Sequence, residues 1–215
     1  LARTICQNHN YTLVRSCDAG AFKKTFHVRD ASNDLALKLV VNPIDPVRIQ
    51  REIDALRACS HPNISRLVEV GTVNHQGGQL VYFVEEFLYG GTLGARLVGS
   101  GILPQKEGIH LALSLAAALS HLAPRGIVHR DIKPENVMYR ADGTPVLVDL
   151  GIARHLDENS LTQDWLTRGP GTPAYAAPEQ LVNDKHLIDW RTDQFSLGVS
   201  LSIALLGMHP YSGNL

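Results

Sequence analysis

The chain has 215 residues, of which 44% are hydrophobic and 19% charged; this composition supports a buried core and excludes an intrinsically disordered polypeptide. With 20 basic and 21 acidic residues the formal net charge is -1, so no global field is available to hold nucleic acid or an anionic membrane. The cysteines, Cys6, Cys17 and Cys59, are odd in number, widely spaced and form no CxxC pair, which points away from a metal cluster or disulfide framework and towards a reducing, cytoplasmic setting.

In chain order, Tyr11 to Arg15, Thr25 to Arg29 and Leu35 to Val41 read as short strands, interrupted by turn-like segments at 17–20 and 30–34. Period two places Ala36 and Lys38 on one face of the third strand and Leu35, Leu37 and Leu39 on the other. A lysine in so apolar a strand calls for an anionic partner. Pro46 opens a predicted helix from Val47 to Cys59, with Ile49, Ile53 and Leu56 on one stripe and Glu52 beside it. Two further strands, Ile64 to Asn74 and Leu80 to Phe87, flank Gly77-Gly78.

After Gly90-Gly91 the texture becomes helical, with a wide apolar face over Pro104 to His121. Val137 to Tyr139 and Pro145 to Asp149 read as a hairpin around Asp142-Gly143, residues 150–175 lack a clear period, and 192–206 form a last helix. The run Leu197 to Leu206 is too short to span a bilayer and reads as a buried helix. The expected architecture is α+β: an N-terminal antiparallel sheet with one helix over residues 1–87, then a mainly helical lobe over 88–215, with a ligand cleft between them.

The chemistry lies in His129-Arg130-Asp131-Ile132-Lys133-Pro134-Glu135-Asn136, followed by Asp149-Leu150-Gly151 and Ala177-Pro178-Glu179. Asp131 is a carboxylate able to orient a hydroxyl nucleophile and accept its proton, and Lys133 can offset phosphoryl charge. Asn136 and Asp149 offer hard oxygens to a divalent cation. Asp131 alone would read as a turn or cap residue, and Asp149 alone as a turn residue. Together, in this order and spacing, the strings resemble the catalytic domain of Hanks-type Ser/Thr protein kinases, over roughly Tyr11 to Tyr211.

The resemblance implies a two-lobed kinase fold that moves the γ-phosphoryl group of ATP, with Mg2+ (or Mn2+), onto protein Ser/Thr hydroxyls. It implies a protein substrate and no nucleic acid. Lys133 and Thr172, within Gly171-Thr172-Pro173-Ala174-Tyr175, match the pair that braces the loop aspartate in Ser/Thr kinases. Lys38, in Ala36-Leu37-Lys38, matches the phosphate-binding lysine, and Glu52 its helix partner. Gly20, Ala21 and Phe22 fall in an eroded glycine-rich loop, where Asp18 and Lys23 replace two expected glycines. The backbone of Glu86 and Leu88 matches the hinge against the adenine edge, with Ala36 above the base and Met138 below. Glu85 takes the gatekeeper place, either pairing with a buried cation such as Lys38 or turned outward by a bulge.

Ser160, Thr162 and Thr167 fall in the activation segment, with Arg130 as a candidate phosphate ligand. Asp193 matches the aspartate that holds the backbone of the catalytic loop, and an N-cap role is the alternative. The chain begins at Leu1 and stops soon after Gly207-Met208-His209-Pro210-Tyr211. Late helices of the lobe, including the arginine partner of Glu179, are therefore expected to be absent. A missing segment or a partner would then cover Leu201, Leu205 and Leu206. A scaffold with weak or no phosphotransfer is the competing expectation, resting on the eroded loop and Glu85.

Overall fold

A computed structural model describes residues 1–19, 23–40, 53, 57, 59–75, 78–150, 172–182, 184 and 186–211. The chain divides into two compact units, Leu1–Ala58 with Ser65–Phe87, and Cys59–Ile64 with Leu88–Leu215.

The first unit is a five-stranded sheet of β1 (Thr12–Ala19), β2 (Lys23–Arg29), β3 (Asp34–Val40), β4 (Leu67–His75) and β5 (Gly78–Glu86), in the order β1-β2-β3-β5-β4. All neighbouring pairs are antiparallel. Asp30 closes the β2–β3 turn by accepting from the amides of Ser32 and Asn33 at 2.7 and 2.6 Å. Central strand β3 is buried on both faces, as its near-continuous apolar run requires.

The leucine face of β3 is covered by α1 (Ala2–Asn8), a helix the sequence reading did not foresee. Its Ala2, Ile5 and Cys6 pack with Leu35, Leu37, Leu39, Tyr82 and Val84. Each large apolar side chain buried this way contributes about 1.5–3 kcal/mol. A polar clamp completes the attachment. Glu69 accepts from the hydroxyls of Tyr11 at 2.7 Å and Tyr82 at 2.8 Å, and His9 Nδ1 lies 3.0 Å from it. Burial, reinforced by the bond to Glu69, pushes both phenol pKa values well up, so both remain donors.

The second unit contains α2 (Leu93–Ser100), α3 (Gln105–Leu122), β6 (Val137–Tyr139), β7 (Pro145–Leu147), α4 (Pro178–Leu181) and α5 (Trp190–Leu206). Thr92 caps α2 through its hydroxyl, which accepts from the Ala95 amide at 3.0 Å. Asp189 caps α5 by accepting from the Arg191 amide at 2.8 Å, and Gly207, at φ 69°, ends it. The core gathers Leu111, Leu115 and Leu122 of α3 with Ile132, Val137, Leu147 and Leu197. Asn63 fastens residues 59–64 to this unit: its carbonyl accepts from the Leu147 amide at 2.9 Å and its side chain donates to the Pro145 carbonyl at 2.8 Å.

The expectation that Leu201, Leu205 and Leu206 are poorly protected holds only for Leu206, which is 66% exposed. Leu205 lies against Gly108 of α3, in the space a β-carbon there would need, and Leu201 packs on the core. The helix read over Val47 to Cys59 lies mostly outside the described residues. Ile53 and Arg57 are described, both are helical, and Ile53 is buried. The segment with Ser160, Thr162 and Thr167 lies outside the described residues. No described helix is long and apolar enough to cross a membrane.

One titratable contact holds residues 59–64 against α3. The rings of His61 and His121 lie 5.2 Å apart, and Arg125 donates to the His121 carbonyl at 2.6 Å. Burial lowers both imidazole pKa values; His121 lowers that of His61 further, and Arg125 that of His121. The unfolded chain therefore takes up these protons first, near pH 6.5. The contribution to stability is full above that pH and is lost as pH falls through it towards the lower folded values. Denaturant midpoints measured between about pH 7.5 and pH 5.5 will fall more steeply for the native chain than for His121→Phe.

Candidate active site

The catalytic loop owes its shape to side chains reached from far along the chain. His129 is fully buried and its Nε2 lies 2.9 Å from the Val148 carbonyl. Arg130 follows at φ 65°, in the left-handed region that non-glycine residues rarely adopt. Both polar backbone groups of this residue are satisfied. Its amide donates to Asp193 Oδ1 at 2.8 Å, and its carbonyl accepts from Gln180 Nε2 at 2.8 Å. The second Asp193 oxygen accepts from the His129 amide at 2.7 Å.

Burial pushes the Asp193 carboxyl pKa up, while charge and the two amides pull it back. We assign the ionised form on geometry, because a protonated acid would turn a donor towards one of the amides. Asp193 thus holds the loop backbone, and the cap of α5 is supplied by Asp189 instead.

The loop delivers Asp131 into a braced cluster. Lys133 Nζ lies 3.0 Å from Asp131 Oδ2 and donates to Thr172 Oγ1 at 2.8 Å. The Thr172 hydroxyl donates to Asp131 Oδ1 at 3.2 Å. Asn136 donates through Nδ2 to the Asp131 carbonyl at 2.7 Å and to Oδ2 at 3.0 Å. Four of the residues singled out in the sequence, Asp131, Lys133, Asn136 and Thr172, therefore meet around one carboxylate. Because Asn136 uses its NH2 on Asp131, its amide oxygen is the atom left for a cation.

Asp149 directly follows Val148, whose amide donates to the Asn136 carbonyl at 3.0 Å. At φ 60° it too occupies the left-handed region. Met138 packs with Leu88, Val146 and Val148 in a small apolar cluster. No group of three or more His, Cys, Asp or Glu suited to a metal ion occurs among the described residues. One carboxylate and one amide oxygen still suit Mg2+, which completes its shell with phosphates and water.

In the first unit Ala36 and Lys38 are buried on β3. Lys38 Nζ donates to Glu85 Oε2 at 2.8 Å, and Ser65 Oγ donates to the same oxygen at 2.7 Å. Of the two readings left open for Glu85, the inward pair is the observed one. The bulge lies on the partner strand, where β4 carries the extra residue Val68 between the pairs Leu67–Glu85 and Glu69–Val84. The resemblance named Glu52 as the partner of Lys38; Glu52, like Gly20, Ala21 and Phe22, lies outside the described residues.

At the hinge, the amides of Glu86 and Phe87 donate to the carbonyls of Arg66 at 3.1 Å and Asp34 at 3.2 Å. The partner of Glu179 was missed in the sequence. Thr192 Oγ1 donates to it at 2.6 Å, which joins α4 to α5.

A strand-borne buried lysine in one unit and a braced Asp-Lys-Asn-Thr set in the other define a kinase-type α+β phosphotransferase fold. The protein kinase domain family matches residues 11–215, and the chain belongs to that family, in its eukaryotic-like (Hanks-type) Ser/Thr branch. It is 34% identical to the serine/threonine-protein kinase PknB of Mycobacterium leprae, over 84% of this chain and 29% of that protein. It is 33% identical to CBL-interacting protein kinase 21 of Oryza sativa subsp. japonica, over 98% of this chain and 38% of that protein. PknD of Mycobacterium tuberculosis is 32% identical over 94% of this chain and 30% of its own length. The chain thus spans about a third of the length of these relatives.

Proposed function

We propose that this chain transfers the γ-phosphoryl group of ATP to Ser or Thr hydroxyls of a protein substrate. The observation that carries this reading is the Asp131 carboxylate, fixed by Lys133, Asn136 and Thr172 at 3.0–3.2 Å contacts. Asp131 orients the incoming hydroxyl and takes its proton late, as the oxygen joins the γ-phosphorus and the bond to the bridging oxygen of the β-phosphate breaks. Lys133 offsets charge on the moving group. Lys38 binds the α- and β-phosphates through its ammonium charge. Asn136 and Asp149 would hold Mg2+ through their side-chain oxygens. When bound, the ion neutralises phosphate charge and keeps the group in line.

The family resemblance assigns Ala36, Met138 and the backbone of Glu86 and Leu88 to the adenine, and Gly20, Ala21 and Phe22 to the phosphates. The Lys133–Thr172 contact at 2.8 Å matches the pattern of Ser/Thr kinases and favours Ser/Thr over Tyr acceptors. The test is incubation with γ-labelled Mg-ATP and a generic basic protein. Label will enter the acceptor with Mg2+ and fail to enter with a chelator in excess. Nucleotide binding without any label would support the scaffold reading instead.

A further inference from the structure

Arg130 is gripped on both sides of its α-carbon. Its amide donates to Asp193 Oδ1 at 2.8 Å, and its carbonyl accepts from Gln180 Nε2 at 2.8 Å. That carbonyl belongs to the planar peptide unit that enters Asp131. At the other end of the same unit the Asp131 amide donates to His129 Nδ1 at 3.3 Å. The orientation of this plane sets the direction in which the Asp131 side chain leaves the backbone. Gln180 is fully buried on α4, and its side-chain oxygen accepts from the Ala177 amide at 3.2 Å. Beside it, Glu179 accepts from Thr192 Oγ1 at 2.6 Å, and Thr192 directly precedes Asp193. These contacts close a ring, Glu179–Thr192–Asp193–Arg130–Gln180, that ties α4, α5 and the catalytic loop together. Thr172, which donates to Asp131 Oδ1, lies on the short segment that leads into α4, where its carbonyl accepts from the Tyr175 amide at 2.9 Å.

We infer that Gln180 is a positioning residue for phosphotransfer: its NH2 holds the Arg130 carbonyl, and with it the peptide plane that aims Asp131 at the acceptor hydroxyl. This deepens the kinase reading and rests on it. A primary amide suits the position, because it donates to one backbone carbonyl and accepts from one backbone amide at the same time. A glutamate in its place has the same length but changes its hydrogen bonding with pH. Ionised, it only accepts and sets a negative oxygen against the carbonyl; protonated, it regains an O–H donor. Burial and the facing carbonyl oppose its ionisation, which moves that change above the ordinary carboxylate range. The charged residues of the ring are Glu179, Asp193 and Arg130, and all three stay in place when Gln180 is replaced.

The experiment measures kcat, KM for Mg-ATP, and the stoichiometry and Kd of direct Mg-ATP binding in the native chain, Gln180→Met and Gln180→Glu, from about pH 6 to pH 8.5. Each kcat is referred to the fraction of protein that binds nucleotide. Gln180→Met will lower kcat about 3- to 10-fold at every pH, the effect of one buried hydrogen bond. KM and Kd for Mg-ATP will stay within about 2-fold, because the change lies at the hydroxyl end of the reaction. Gln180→Glu will match the native kcat within about 2-fold near pH 6 and fall about 10-fold behind it near pH 8.5. A side chain that merely filled space would show no such rescue by protonation. Amide hydrogen exchange over residues 129–136, compared at equal pH, will rise above the native level in the same variants and at the same pH values, and it is read without any phosphotransfer. The inference is overturned if Gln180→Met keeps native kcat and exchange, or if the ratio of native to Gln180→Glu kcat is the same at every pH. Should Gln180→Glu not fold, Gln180→Met decides through its kcat-against-KM split and its exchange. Absence of label from the native chain would refute the kinase reading alone, and exchange would still decide the grip of Gln180 on the loop.

Discussion

Replacing Asp131 with Asn will lower kcat for protein phosphorylation by about 10²–10⁴-fold, the range typical of a lost general base. The side chain keeps its size, and Asn136 continues to donate to the backbone carbonyl of residue 131, which the substitution does not alter. What disappears is the negative charge and the ability to accept a proton. Either the Thr172 hydroxyl, now on one oxygen, or the Lys133 and Asn136 donors, now on the other, would face an amide NH2 instead. Affinity for Mg-ATP should stay within about 3-fold, because the change lies at the hydroxyl end of the reaction. Initial rates and nucleotide Kd measured on the same preparation separate these effects. Equal rates in the two proteins would remove Asp131 from the chemistry.

The second large effect is structural. Asp193→Ala will destabilise the C-terminal unit by about 2–6 kcal/mol, since two amides each lose their acceptor at about 1–3 kcal/mol apiece. The amides belong to His129, which is fully buried, and to Arg130, which is held at φ 65°. Without the carboxylate the left-handed conformation at Arg130 is no longer over-determined, and it relaxes towards ordinary geometry. The Asp131 side chain would then leave the bracket of Lys133 and Thr172, so kcat falls together with stability. Asp193→Asn retains one acceptor and will lose roughly half as much. Urea midpoints at fixed slope measure both variants. A midpoint unchanged in Asp193→Ala would show that the loop is held by other contacts.

Legibility in the sequence followed how local each signal was. The catalytic loop was readable because its chemistry sits within eight consecutive positions, from His129 to Asn136. The β-strands were readable from alternation and turn residues, with ends displaced by a few positions, as for β1, which runs to Ala19. Helix α1 was missed although Ala2, Ile5 and Cys6 show the i, i+3, i+4 spacing of a buried face. Three apolar positions over seven residues are a weak signal, and the clamp by Glu69 depends on a residue 60 positions after His9, counted from their numbers.

Glu85 shows the same limit from the other side. Its direction was undecidable from one strand, because a bulge on either partner changes which way a side chain points. The structure puts that bulge at Val68 of β4, which leaves Glu85 facing Lys38. The Glu179–Thr192 bond escaped for a related reason, since a short hydroxyl partner carries no pattern of its own.

The central claim is that Asp131 and its neighbours direct the terminal phosphate of ATP onto an alcohol of a protein. Phosphoamino-acid analysis of an acceptor labelled in parallel from α-labelled and γ-labelled Mg-ATP tests it most directly. The account predicts phosphoserine and phosphothreonine from the γ-label and no incorporation from the α-label. Phosphotyrosine as the main product, or equal incorporation from both labels, would contradict it.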